Sequence, residues 1–168
     1  MNIIFLDIDG VLNCDLFYRN RTKELTYPLS EMCPERIKWL NEVCTTSKAQ
    51  IVLSSTWRHG RDIEEMRNIF KELGATFDLI DYTPSFSTKW AVRGNEIYAW
   101  IEQNSMNLFG IEYYNYKNYV IIDDDSDMLL WQQAHFFQTD THSGLTPNIC
   151  YKINRFFGGA RFPNLKEK

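Results

Sequence analysis

The chain has little that would hold a zinc ion or a disulfide framework. Cys14, Cys33, Cys44 and Cys150 are scattered without a C-x-x-C pair, and His59, His135 and His142 show no zinc-ligand spacing. These cysteines read as reduced thiols partly in the core. Long hydrophobic runs are also missing. The apolar start is broken by Asp7, too early for a signal-peptide core, and no stretch approaches a membrane span. The expectation is an intracellular, cytoplasmic protein with no membrane attachment, and nothing points to an obligate protein partner. Repeats and low-complexity linkers are absent too. A length of 168 residues suits one domain with a sizeable core, here taken as residues 1–158 with a tail at 159–168. Excess positive charge is lacking, since the net charge is −4. Six of the 22 acids, Asp7, Asp9, Asp123, Asp124, Asp125 and Asp127, fall in two clusters, and setting them aside leaves 16 against 18 Lys and Arg. Charge therefore permits a polyanionic substrate without requiring one.

What is present begins with Asp7 and Asp9 in the run Ile3-Ile4-Phe5-Leu6-Asp7-Ile8-Asp9-Gly10-Val11-Leu12-Asn13. The β-branched and aromatic stretch reads as a strand buried on both faces, as in a parallel sheet, where ligands bind beyond the strands' carboxyl ends. At positions i and i+2 the two aspartates leave the strand on one side, an arrangement suited to a nucleophile beside a proton donor. Gly10 lets the chain turn so that backbone N–H groups approach an anion. Two neighbouring carboxylates call for a divalent cation, and oxygen ligands alone favour Mg²⁺.

Further along, residues 13–32 form a long polar and aromatic loop with Phe17, Tyr18, Arg19, Arg21, Lys23 and Tyr27. Pro34 opens a helix with Ile37, Leu40, Val43 and Cys44 on one face, leading to a buried strand at 51–53. Ser54-Ser55-Thr56-Trp57-Arg58 follows, then a helix at 62–73 stopped by Gly74 and a strand at 77–80. A helix from Arg93 or Gly94 carries Ile97, Trp100 and Ile101. Beyond it the aromatic stretch 109–119, with tyrosines able to stack bases or to pack in the core, leads to a strand at 119–122. A last strand at 135–138 and a helix opened by Thr146-Pro147 and closed by Gly158-Gly159 complete a doubly wound, mostly parallel α/β sheet sandwiched by helices.

Four strand ends or helix starts thus carry groups suited to one phosphate: Asp7/Asp9, Ser54, Arg93 and Asp123/Asp124. In order they read DIDGVLN, IVLSSTWR, RGNEI and VIIDDDSDM. This resembles the haloacid dehalogenase-like (HAD) superfamily, with its DxD, Ser or Thr, Lys or Arg, and terminal acidic pair. More narrowly, LSSTWR, RGNEI, IIDDDSDM and FQTDTHSGLT are similar to the HAD domain of Swiss Army Knife RNA-repair proteins, and the acidic pair resembles that of phage polynucleotide kinase 3′-phosphatases. The resemblance implies a HAD-like Rossmannoid fold and a phosphohydrolase. Asp7 would be the nucleophile that forms an aspartyl-phosphate, and Asp9 the general acid and base. Ser54 would donate its hydroxyl to the phosphoryl group beside the Ser55 backbone N–H, and Arg93 would supply fixed positive charge. Mg²⁺ would sit on the Asp7 carboxylate, the Asp9 carbonyl and Asp123 or Asp124.

Each residue also has a plainer reading. A DxD occurs in calcium loops, but an EF-hand counted from Asp7 would need Gly where Leu12 stands, and one from Asp123 meets Met128 and Ala134 instead of its glycine and glutamate. Ser54 could cap a turn, Arg93 could be a solvated charge, and Asp125 or Asp127 could cap a helix. Lys89 competes with Arg93 as the basic residue, and Asp127 is a third option for the metal.

The chain has little room for a large cap domain, so the site should be open, as the end of a polymer or a protein side chain requires. Arg19, Arg21, Lys23, Arg58 and Arg61 are placed to contact backbone phosphates. The favoured substrate is a phosphorylated RNA or DNA end, with Gly10, Ser55 and Arg58 as binding groups. A nucleotide or other small phosphomonoester is the enzymatic alternative. A metal-dependent binding module is the non-catalytic one, disfavoured because binding alone needs no proton donor.

Overall fold

The computed structural model describes residues 1–21, 26–87, 91–110 and 117–158. Strand β1 (Asn2–Leu6) lies at the centre of a five-stranded sheet, with β2 (Ala49–Leu53) and β3 (Leu79–Tyr82) on one side and β4 (Tyr119–Asp123) and β5 (Phe136–Gln138) on the other. All four pairings are parallel, and the register sets Leu6 beside Leu53 and Ile122. Alternate β1 residues serve opposite faces. Ile4 and Leu6 join a core with Ile37, Leu40, Met66, Phe70 and Ile153, whereas Ile3 and Phe5 join Ile97, Trp100 and Ile101. Helices α2 (Pro34–Ser47), α3 (Ile63–Glu72) and α5 (Pro147–Phe156) therefore cover one face, and α4 (Arg93–Phe109) the other.

The helix starts follow local chemistry. Asp62 accepts the Glu65 N–H at 2.8 Å, Thr146 caps α5, and Pro34 and Pro147 occupy first-turn positions whose N–H would be unused. In the loop read from sequence, Asp15–Asn20 forms a short helix, α1, whose first turn donates to Cys14 Sγ. Strand β3 runs two residues later than the apolar run indicates. Phe77 instead packs edge-on against Phe70 at 5.3 Å, and polar Asp81 stays in the strand because Trp100 Nε1 donates to it at 2.6 Å.

The sheet order reverses between β1 and β4, and loops leaving both strands meet at their carboxyl ends, the usual ligand crevice of such folds. Among the described residues no further folded unit covers that crevice. No helix among them is long and apolar enough to cross a membrane. All four cysteines are buried and free. Tyr119 packs between Phe5 and His135, so it is a core residue; positions 111–116, Lys23, Lys89, Gly159 and the tail at 159–168 lie outside the described residues.

Candidate active site

The parallel ladder carries on past the strands and fixes the site. Asp7 N–H donates to Ile122 at 3.0 Å, Ser54 N–H to Leu6 at 2.8 Å, and Thr139 N–H to Asp123 at 2.9 Å. Asp7, Ser54 and Asp123 are thereby set side by side. Asp7 is buried, 6% exposed, and Asp123 is buried beside it. Oxygens of Asp7, Asp123 and Asp124 lie within 4.8 Å of one another. Burial pushes Asp7 up to about 6, against the pull of Arg93 and of a hydrogen bond from Ser55. Burial, then the Asp7 charge, pushes Asp123 up to about 8. Asp123 Oδ2 is buried without a hydrogen-bond partner. Such a set resists full ionisation by itself, and a divalent cation among the oxygens would relieve it. The donor set, all oxygen, fits that group.

Arg93, at the first turn of α4, provides the positive charge. Its guanidinium lies 3.7 Å from Asp7, 3.3 Å from Asp123 and 3.6 Å from Glu96. Asp127 holds that helix start, accepting the Arg93 N–H at 2.8 Å. Asp127 thus caps a helix that begins earlier in the chain and is not one of the three gathered carboxylates, Asp7, Asp123 and Asp124. Gly94 completes the start, since a Cβ there would be 2.6 Å from the Leu129 nitrogen.

Asp9 is exposed and held differently. Asn13 Nδ2 donates to it at 2.7 Å, and Trp57 Nε1 reaches both of its oxygens at 3.1 and 3.2 Å. Asn13 Oδ1 also takes the Gly10 N–H at 2.9 Å, so that amide is committed within the loop rather than offered to an anion. Gly10 is required for another reason: its φ is +67° and a Cβ would sit 2.2 Å from the Asp124 carboxylate. Thr141 donates to Asp124 at 2.8 Å and Thr139 to the Gly10 carbonyl at 2.8 Å, which ties FQTDTHSGLT to the first loop.

A model of the HAD domain in Swiss Army Knife RNA repair proteins matches residues 3–149. The chain belongs to this family. Comparison with curated proteins and with solved structures gives no significant match.

Within this HAD domain, two expected substrate contacts are placed otherwise. Arg58 is 7% exposed and donates to Ser55 C=O at 2.5 Å, Pro84 C=O at 3.3 Å and Glu96 at 2.7 Å, so it braces the site from behind instead of facing a nucleic-acid backbone. The two serines, both buried, have different partners. Ser54 Oγ lies 3.5 Å from Thr83 Oγ1, whereas the Ser55 side chain hydrogen-bonds Asp7. Arg21 is occupied by Glu31 at 2.7 Å and Ser30 C=O at 2.8 Å, while Arg19 is exposed on α1.

Sequence reasoning missed Asn13, Trp57, Glu96, Thr139 and Thr141. The signals were present for three of them: Asn13 closes DIDGVLN, Glu96 stands three residues after Arg93, and Trp57 carries a polar N–H two residues after the serine pair.

Proposed function

We propose that this HAD domain is a Mg²⁺-dependent phosphomonoester hydrolase acting on phosphorylated nucleic-acid ends through an aspartyl-phosphate. The observation that carries the reading is the contrast on one strand end: a buried Asp7 facing Arg93, and an exposed Asp9 held by Trp57 and Asn13. Asp7 attacks phosphorus while the bond to the ester oxygen breaks, and Asp9 gives that oxygen its proton. In the second half Asp9 takes a proton from water, whose oxygen attacks the aspartyl-phosphate and frees Asp7 and phosphate. Arg93 and the Ser55 hydroxyl hold the phosphoryl oxygens as negative charge builds up, with Glu96 and Arg58 fixing Arg93. Asp7, Asp123 or Asp124, and the Asp9 carbonyl would hold Mg²⁺, which when bound supplies charge neutralisation at the phosphoryl oxygens.

The substrate class is supported by the RNA-repair description of the family and by a crevice that no further folded unit covers among the described residues. Four buried thiols fit a reducing compartment, so we place the protein in the cytoplasm. Phosphate release from RNA and DNA oligonucleotides phosphorylated at either end, and from a generic aryl phosphate, tests the reading with and without Mg²⁺. Turnover in each case is expected only with the metal. Hydrolysis of small phosphomonoesters but of no oligonucleotide would leave a small-molecule phosphatase, and no turnover of any substrate would leave a binding module.

A further inference from the structure

The side of the crevice next to Asp9 is aromatic. Trp57 directs its N–H onto both Asp9 oxygens, and its ring continues outward to Tyr27, stacked at 6.5 Å between centroids and 29° between planes. Tyr27 is 67% exposed, so core packing does not account for it. The Arg61 guanidinium lies 5.1 Å from the Trp57 ring centroid and 5.8 Å from that of Tyr27. Arg61 also donates to the Trp57 carbonyl at 3.2 Å and to the Tyr27 hydroxyl, so the rings are clamped before any ligand arrives. An exposed Tyr27 ring, continuing a half-buried Trp57 that packs partly on the core, is therefore pre-positioned beside a carboxylate, with Arg61 at the edge of both rings.

We infer that the Trp57–Tyr27 face is a leaving-group subsite that stacks the nucleobase of the terminal nucleoside, with Arg61 fixing the rings. This rests on the phosphohydrolase reading, in which Asp9 must reach the ester oxygen; the departing nucleoside then lies against Asp9 and so against Trp57. A base presents a π-face of any sequence, as a repair enzyme for diverse ends would need, while Arg61, paired with Glu65 at 3.5 Å, serves the rings rather than the substrate's phosphates. A phosphoserine or sugar phosphate has no ring to stack.

The test compares kcat/KM for short RNAs, phosphorylated at the 3′ or the 5′ end, whose terminal residue either carries its base or is abasic. Wild-type protein should favour the base by about tenfold, mainly in KM, the range expected of one stacked base. Tyr27→Leu should reduce that ratio to near one, and Tyr27→Phe should keep it. Equal efficiency for both substrates with wild-type protein would overturn the subsite while leaving the phosphohydrolase intact. So would a base preference that survives Tyr27→Leu. If neither RNA nor the aryl phosphate is hydrolysed, the underlying reading fails instead, and the subsite with it.

Discussion

Asp7 and Asp9 leave one strand two residues apart, yet they occupy different media. Asp7 sits among buried charges, with Asp123, Arg93, Glu96 and Arg58 forming a continuous chain of ion pairs. Asp9 stands in solvent, fixed by an amide and an indole. In the first environment charges interact strongly and each needs a partner; in the second a carboxyl group exchanges protons with water. In the proposed reaction this difference would separate bond formation to phosphorus from proton transfer to the leaving group, although the residues are of the same type.

The largest effect should come from the buried half. Asp7→Asn should lower turnover by on the order of 10⁵- to 10⁶-fold, as loss of a nucleophile does, while a thermal melt shows an intact fold. Retained turnover would break the proposed mechanism. Asp9→Asn is expected to cost about 10²- to 10⁴-fold on an alkyl or oligonucleotide phosphate and much less on an activated aryl phosphate, which departs without a proton. Equal losses on both substrates would erase the distinction between the two aspartates. The serines sharpen it further. Ser55→Ala should cost about 10²-fold because its hydroxyl acts at Asp7, with Ser54→Ala the milder change, and steady-state rates reversing that order would restore Ser54 as the phosphate donor.

The smallest effect is on stability. Asp7 and Asp123 have pKa values raised to about 6 and about 8, so between pH 4 and 8 the folded, metal-free protein holds protons that the unfolded chain has released. Stability should therefore fall as pH rises through that window. His135, whose pKa burial lowers, acts in the opposite direction at the acidic end, so the comparison is best made against Asp123→Asn. Melting curves should show a steeper decline for wild-type protein than for this variant, and added Mg²⁺ should abolish the difference. Parallel slopes without metal would mean that the acidic cluster carries no such strain.

The framework that carries this contrast was largely legible beforehand. The continuous apolar run of β1, the helix openings at Asp62 and Thr146-Pro147, and the order of the four motifs led directly to strands, helix starts and the placement of Asp7 and Arg93 at one sheet end. Arg58 was misread because an arginine in a loop resembles a solvated charge until its acidic partner, 38 residues away, is known. Asp127 was ambiguous for a similar reason: it caps a helix that begins 34 residues earlier. The β3 shift depended on Trp100 reaching Asp81.

By itself, then, the sequence determined the sheet, the faces of its helices and the pair of carboxylates at the end of β1, because burial periodicity and capping act over a few residues. Only the tertiary structure decided which carboxylate is buried among charges and which is held open by Trp57, 48 residues from Asp9. Electrostatic environment depends on partners brought from distant strands and loops, and local sequence does not record which of them meet.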